Sequence, residues 1–253
     1  MFHVVIPARF GSTRLPGKAL LDIQGHPMVY WVWQRALACA ASSVVVATDD
    51  ARIATVMRAY GADVAMTRSD HPSGTDRLAE VAAQRGWSDD TIIVNLQGDE
   101  PLMPAENLIQ VASALEQAPQ ATISTLCEPI SDWATFENPA VVKVVCRADG
   151  CASYFSRAMI PWPRTAMSEN MNADGAFELE GIARHVGLYA YRVGFLHRFV
   201  SWPAAPSESL ESLEQLRALY YGEQIKVVYA ERPVPAGVDT EDDLKLVREL
   251  MAS

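Results

Sequence analysis

Short apolar runs alternate with helix-like segments along the first half of the chain. The runs at 2–6, 43–47 and 91–96 are rich in β-branched residues and are hardly interrupted by polar ones. Strands of this kind are buried on both faces, which is typical of a parallel sheet covered by helices. The same pattern predicts strands at 62–66 and 122–126, and helices at 27–39, 50–60, 75–85 and 105–117.

The second half of the chain is less regular. It predicts strands at 140–146, 185–192 and 225–230 and a loop over residues 161–181. A helix is expected at 207–221, where four leucines form one stripe, and another at 240–250. The stripe consists of Leu210, Leu213, Leu216 and Leu219. With no internal repeat or linker, the pattern indicates one α/β domain with a mostly parallel, doubly wound sheet and a smaller embedded part.

Composition narrows the classes of function. A chain of 253 residues with 49% hydrophobic content can bury a large core, and its net charge of −10 argues against nonspecific binding to nucleic acid or anionic membranes. Four cysteines without a CxxC pair favour reduced thiols over disulfides or zinc. The chain has no apolar run near the roughly 18 residues of a membrane span, and no signal peptide is expected, so a cytoplasmic location is predicted.

The first candidate for chemistry is the segment PARFGSTRLPGK, at 7–18 behind the first strand. It holds Arg9, Arg14 and Lys18 among small residues whose backbone amides can approach a ligand, which suits a polyphosphate. A P-loop is excluded because five residues separate Gly11 from Gly17 and an alanine follows the lysine. The segment is not GxGxxG either, which leaves a dinucleotide fold poorly supported. A solvated basic loop is the alternative.

Two acidic motifs are candidates for metal binding. Asp99 follows the strand at 91–96 in NLQGDEP, where a carboxylate at the carboxyl edge of a parallel sheet can bind Mg²⁺ and Gly98 lets a ligand approach the main chain. An ordinary turn explains the same residues. Near the C-terminus, Thr240 and Asp243 fit a capping box, which leaves Asp239 unexplained and available as a second metal ligand.

The motif DHPSGTDR at 70–77 precedes a predicted helix. Thr75 is expected to cap this helix, and Ser73 and Gly74 would expose amides at its N-terminus, where a base edge or an anion could bind. A plain N-cap explains the same residues without a ligand.

Taken together, the motifs resemble the CMP-Kdo synthetases, the 3-deoxy-manno-octulosonate cytidylyltransferases. The resemblance covers nearly the whole chain through IPARFGSTRLPGK, VATDD, DHPSGTDRLAEV, VNLQGDEP, YFSRAMIPW, RHVGLYAYR, LEQLRALYYGEQI and GVDTEDDL. Gly11 stands where alanine is common, and residues 165–179 do not match well.

The resemblance implies a nucleotidyltransferase-type fold in a homodimer, which converts CTP and Kdo to CMP-Kdo and pyrophosphate with Mg²⁺ for lipopolysaccharide biosynthesis. Residues 1–130 would bind CTP, 131–230 would bind the sugar and form the dimer, and 231–253 would return as a helix. The resemblance also implies which residues contact each substrate. Those at CTP would be Arg9, Arg14, Lys18, Ser73, Gly74, Thr75, Arg77 and Gln97, and those at the sugar acid would be Arg157, His185, Tyr189, Glu214 and Gln215. Asp99 and Asp239 would hold magnesium and, with Lys18, act in catalysis, while Arg157 would face the sugar carboxylate.

The chemistry of these residue types agrees with direct displacement at phosphorus, because the sequence shows no nucleophile set of the Ser/His/Asp or Cys/His kind. Three alternatives stay open at this point. The sugar could be sialic acid or 8-amino-Kdo, or the chain could be a noncatalytic nucleotide-binding module on the same fold.

Overall fold

A nine-stranded sheet is the centre of the molecule. The computed structural model describes residues 1–11, 15–164 and 181–252. The strands of this part are β1 (Phe2–Pro7), β2 (Asp22–Ile23), β3 (His26–Pro27), β4 (Val44–Thr48), β5 (Asp63–Met66), β6 (Ile92–Asn95), β7 (Ile123–Pro129), β8 (Lys143–Cys146), β9 (Ala152–Ser156), β10 (Ala183–Arg192) and β11 (Ile225–Tyr229). The helices are α1 (Met28–Leu37), α2 (Ala51–Ala59), α3 (Gly74–Arg85), α4 (Ala105–Glu116), α5 (Trp133–Glu137), α6 (Val193–Phe199), α7 (Pro206–Glu211), α8 (Gln215–Tyr220) and α9 (Glu241–Ala252), with a 3-10 helix at Lys18–Leu20.

The strand order of the large sheet is β11-β7-β10-β6-β1-β4-β5, and β8 joins it through β10 and carries β9. Strand β1 is parallel to β4 and β6, β4 is parallel to β5, and β7 is parallel to β11. Strand β10 runs antiparallel between β6 and β7. The predicted α/β class with a mostly parallel sheet is confirmed, with an antiparallel strand in its middle.

Both faces of the sheet are covered, as the uninterrupted apolar strands predict. On one face, Val4 and Ile6 of β1 pack with α1, α2 and α4. On the other face, Val5 packs with α3, α6 and α8. A doubly wound arrangement follows, because successive side chains of one strand enter two separate cores. No helix in the described ranges combines the length and the apolar character needed to span a membrane.

The C-terminal helix α9 does not join either of these two cores. Leu244 and Val247 of α9, together with Val238 just before it, pack against Leu15 and Met28. This third cluster packs α9 against residues 15–28, which follow the loop after β1.

The prediction of a single helix at 207–221 is wrong. The structure has two short helices, α7 and α8, because Ser212 ends α7 in a left-handed conformation with φ of 51°. The break disrupts the predicted leucine stripe, so that Leu210 is 87% exposed while Leu213 and Leu216 are buried. Propensity and periodicity did not predict the break, since serine rarely adopts a positive φ.

Candidate active site

The N-terminal loop is closed on itself where it leaves β1. The Gly17 amide donates to the Phe10 carbonyl at 3.1 Å, and Gly17 has φ of 70°. A side chain at Gly17 would also approach the Phe10 ring, since a Cβ built there lies 3.2 Å from its nearest atom. Glycine is therefore required for both reasons. The turn places Lys18 at the start of the 3-10 helix, beside the ends of β1 and β6.

The three residues predicted to be catalytic meet at one point. The Lys18 ammonium donates to Asp99 Oδ2 at 2.6 Å and to Asp239 Oδ1 at 3.1 Å. Burial alone would lower the pKa of Lys18, but the hydrogen bonds and charges of the two carboxylates outweigh burial and raise it. Lys18 is therefore a cation at any physiological pH.

A backbone contact explains how residues 99 and 239 come together. The Val238 amide donates to the Asp99 carbonyl at 2.8 Å, and Val238 is fully buried in the cluster under α9. The predicted capping box is confirmed at the next residues, where Thr240 and Asp243 exchange hydrogen bonds between side chain and backbone. Because the box uses Asp243, the Asp239 carboxylate stays directed at Lys18.

Gly98 brings Asp99 against the N-terminal loop. A Cβ built on Gly98 would lie 2.8 Å from the Pro7 carbonyl oxygen, which is closer than any real side chain permits. Gly98 also lines the cleft described next, so the predicted access of a ligand to its main chain remains open. The tight contact adds a second reason for glycine at this position.

An open cleft of about 520 Å³ surrounds the Lys18 cluster. Most of the residues predicted to contact CTP lie on its walls, which also include Pro7 at the end of β1. The predicted residues that line it are Arg9, Lys18, Ser73, Gly74, Gln97, Asp99, Asp239 and Glu214. Arg14 lies outside the described residues, as does most of the loop predicted at 161–181.

A second, smaller cavity of about 90 Å³ adjoins the cleft. Gly74, Gln97 and Glu214 line both spaces, so the two share a wall. Three further predicted residues line the smaller cavity, namely Thr75, Tyr189 and Gln215. Tyr189, Glu214 and Gln215, which are predicted to bind the sugar, are thus brought together beside the cleft that holds Lys18.

Ser73 connects the two spaces. Its hydroxyl accepts from the Asp76 amide at 3.3 Å, so Ser73 caps α3 and the prediction that Thr75 is the cap is wrong. The Ser73 hydroxyl also lies 3.1 Å from Glu214 Oε1. Burial raises the pKa of Glu214, although hydrogen bonds from Thr75 and Ser73 act in the opposite direction. A side chain assigned to the sugar therefore contacts one assigned to the nucleotide.

Arg77 is buried rather than exposed in the cleft. Its guanidinium donates to the Thr67 hydroxyl and lies 3.4 Å from Asp49 Oδ1, and its side chain is fully buried. Burial lowers the pKa of Arg77. The structure places Arg77 behind the residues that line the two spaces, where it joins α3 to the segments after β4 and β5.

Arg157 and His185 are not among the described residues that line either space. Arg157 Nε donates to the Glu211 carbonyl at 2.7 Å, and one terminal nitrogen donates to the Pro139 carbonyl at 3.1 Å. His185 Nε2 lies 3.0 Å from Thr125 Oγ1, and burial lowers the pKa of His185 to about 3. The imidazole is therefore neutral at neutral pH. Their contacts with a sugar acid stay a prediction.

Six residues of the smaller cavity were missed by sequence reasoning, namely Asn95, Ile123, Tyr191, Phe195, Phe199 and Ala218. A signal for Asn95 was present, because it is the polar end of an otherwise apolar buried strand. Phe195 and Phe199 lie four residues apart on a helix that the sequence did not predict.

The known proteins that are similar to this chain carry the names of one class of enzyme. Residues 3–225 match the family described as Cytidylyltransferase. The 3-deoxy-manno-octulosonate cytidylyltransferase of Hahella chejuensis is 54% identical over 252 residues, which cover 99% of this chain and 98% of that protein. The enzyme of the same name from Pseudomonas syringae pv. syringae is also 54% identical, with the same coverage.

Solved structures are similar in fold as well. The structure of CMP:2-keto-3-deoxy-manno-octonic acid synthetase complexed with CTP has a TM-score of 0.89 and 42% identity, and the match covers 100% of this chain and 99% of that one. A cytidylyltransferase from Leptospira borgpetersenii, at 17% identity and a TM-score of 0.60, shares the fold. Because these sequence matches extend over nearly its full length, this chain belongs to the cytidylyltransferase family.

Proposed function

We propose that this protein activates 3-deoxy-D-manno-octulosonate with CTP, giving CMP-Kdo and pyrophosphate for lipopolysaccharide biosynthesis. The observation that carries the proposal is the joined pair of spaces. One contains a lysine between two carboxylates, and the other contains hydroxyl and amide groups suited to a sugar, together with the Glu214 side chain. Two relatives with 54% identity over almost the whole chain carry the name of this enzyme.

The residues at the cleft fit Mg²⁺. Among the residues that the structure describes, no group of three or more His, Cys, Asp and Glu side chains is arranged to hold a metal. Asp99 and Asp239, whose carboxylates both lie against Lys18, would be its two protein ligands, with water and phosphate oxygens completing the shell, as is usual for Mg²⁺. When bound, Mg²⁺ neutralises charge on the phosphates.

Charge balance also favours a metal. Asp99, Asp239 and Lys18 sum to one negative charge, and CTP carries about four. A triphosphate would be repelled from this point unless additional cations accompanied it. Arg9 on the same cleft supplies one further positive charge, which is too little alone.

The reaction requires positioning more than covalent participation by the protein. A hydroxyl oxygen of the sugar acid forms a bond to the α-phosphorus, and the bond from that phosphorus to the bridging oxygen of pyrophosphate breaks. The proton of that hydroxyl is released to water. Lys18 and Arg9 stabilise negative charge as pyrophosphate leaves, since both side chains line the cleft. Gln97 lines both spaces and would orient the two substrates toward each other.

We also propose that the protein is a cytoplasmic homodimer. Leu210 on α7 is 87% exposed, and Tyr220 on the next helix, α8, is 61% exposed. Exposed apolar side chains in the part of the chain that is predicted to form the dimer favour a protein partner. Light scattering coupled to size-exclusion chromatography tests this: a mass near that of one 27.7 kDa chain would contradict it.

Pyrophosphate release with CTP, Mg²⁺ and Kdo tests the activity. We expect release that depends on all three components. Release with sialic acid or 8-amino-Kdo in place of Kdo would move the substrate to that sugar. CTP binding without any release would instead favour a noncatalytic nucleotide-binding module.

A further inference from the structure

The smaller cavity contains two amide groups whose hydrogen bonds are incomplete. Asn95 Oδ1 and Gln215 Nε2 are buried, and neither has a hydrogen-bond partner among the described residues. Asn95 is only 2% exposed. An unsatisfied buried polar atom costs about 1–3 kcal/mol, so such atoms are few in native proteins. Both amides line the same cavity, where a ligand can complete their bonds.

Asn95 is held firmly in this position. It is the last residue of β6, with Val5 of β1 as its neighbour on one side and Tyr189 of β10 on the other. The Tyr191 hydroxyl lies close to the side chains of Asn95 and Thr75 on the wall of the same cavity. Asn95 also lines the smaller cavity, so a ligand bound there lies beside its amide group.

The surroundings indicate what Asn95 Oδ1 can bind. The cavity wall also contains the apolar side chains of Ile123, Phe195 and Phe199. Glu214 is the carboxylate among its described lining residues. In such a place an amide oxygen accepts from a neutral O–H group, and an amide nitrogen donates to an oxygen. A polyhydroxylated ligand satisfies both, because each hydroxyl both donates and accepts.

We propose that Asn95 determines specificity for the sugar acid, with its Oδ1 accepting a hydrogen bond from one substrate hydroxyl while Gln215 Nε2 donates to another substrate oxygen. The assignment rests on the proposed function, since it takes the smaller cavity as the sugar site. A sugar that lacks the contacted hydroxyl leaves Asn95 Oδ1 unsatisfied, and the enzyme discriminates against that sugar for this reason.

The test compares Kdo with its deoxy analogues, each of which lacks one hydroxyl. With wild-type enzyme we expect kcat/KM for one analogue to fall at least about tenfold below that for Kdo. With Asn95→Leu, which has similar size and no amide, kcat/KM for Kdo should fall about tenfold, and the difference between Kdo and that analogue should vanish. The KM for CTP should stay unchanged.

Two outcomes overturn the proposal. One is a wild-type enzyme that uses every analogue within threefold of Kdo, which is decisive even if Asn95→Leu fails to fold. The other is an Asn95→Leu variant that loses the same factor on all the sugars, because a purely structural role lowers them together. Failure of the proposed function is distinguishable, since wild-type enzyme would then release no pyrophosphate with Kdo itself.

Asn107→Leu is the matched control. Asn107 is also fully buried, but its amide exchanges hydrogen bonds with the Arg232 backbone, away from both spaces. We expect this variant to lower the melting temperature and to keep the wild-type ratio of kcat/KM between Kdo and each analogue. A changed ratio in this control would show that selectivity responds to core damage in general and would count against Asn95.

Discussion

Replacing Asp99 with asparagine removes one negative charge from the cleft and preserves the size of the side chain. Asp99 Oδ2 lies 2.6 Å from Lys18 Nζ and faces the position proposed for Mg²⁺. One unit charge acting on another at about 4 Å contributes about 4 kcal/mol at an effective dielectric constant of about 20. If this interaction stabilises the transition state, its loss lowers kcat by about a thousandfold.

The effect on folding should be much smaller. The Asp99 side chain is 31% exposed and that of Lys18 is 16% exposed, so solvent screens part of their attraction. A pair of this kind contributes about 1 kcal/mol or less to the free energy of unfolding. We therefore expect Asp99→Asn to retain its fold, and circular dichroism with thermal melting checks this.

Asp242→Asn is the control for the charge change itself. Asp242 lies near Asp239 in the chain, but its side chain is 93% exposed and pairs with Lys245 on the surface of α9. We expect this variant to release pyrophosphate at the wild-type rate. Wild-type turnover in Asp99→Asn would refute the reasoning and remove Asp99 from the site, and a loss of equal size in Asp242→Asn would show that general charge is responsible.

Three further predictions concern Lys18, Gly98 and His185. Lys18→Ala should raise the KM for CTP more than that for Kdo, because it removes the cation that pairs with Asp99 and Asp239. Unchanged kinetic constants would support a solvated basic loop. Gly98→Ala should lower stability by about 2 kcal/mol or more in chemical denaturation through its clash with the Pro7 carbonyl, whereas Gly11→Ala, with open space around its Cβ, should be neutral. His185 binds a proton in the unfolded chain near pH 6.5 but in the folded chain only near pH 3. The free energy of unfolding therefore decreases as the pH is lowered below 6.5, by up to about 2 kcal/mol at pH 5. His185→Gln should remove that part of the acid slope, and an unaltered slope would contradict the burial of a neutral ring.

Most of the sheet could be predicted because buried parallel strands leave a strong local signal. The runs that became β1, β4 and β6 are apolar without alternation, and each is followed by a helix. The split of 207–221 could not be predicted in this way, since it depends on Ser212 in a left-handed conformation. Strand β9 was missed as well, because its burial alternates irregularly and Phe155 is its main contribution to the core.

For the site, the sequence identified important residues but not how they are arranged in space. Sequence motifs identified Lys18, Asp99 and Asp239, but not that they meet, since this depends on Val238 packing under α9 and donating to the Asp99 carbonyl. Asn95 was missed for the opposite reason. A single polar residue at the end of an apolar strand is common, and only the cavity beside it shows that its amide oxygen lacks a partner.

The arrangement at Lys18 explains why this cleft can keep two acidic side chains together before any ligand arrives. Two carboxylates directed at one point repel each other, and Lys18 offsets that repulsion by donating to both. The same ammonium is then within reach of phosphate oxygens that enter the cleft, because it stands among the residues that line it. Lys18 holds the two carboxylates in the free protein, and in the proposed complex with CTP it would also neutralise phosphate, so the two roles would compete for its three N–H groups. Removing it should weaken CTP binding more than its single charge suggests, because the two carboxylates would then face the triphosphate without a cation between them.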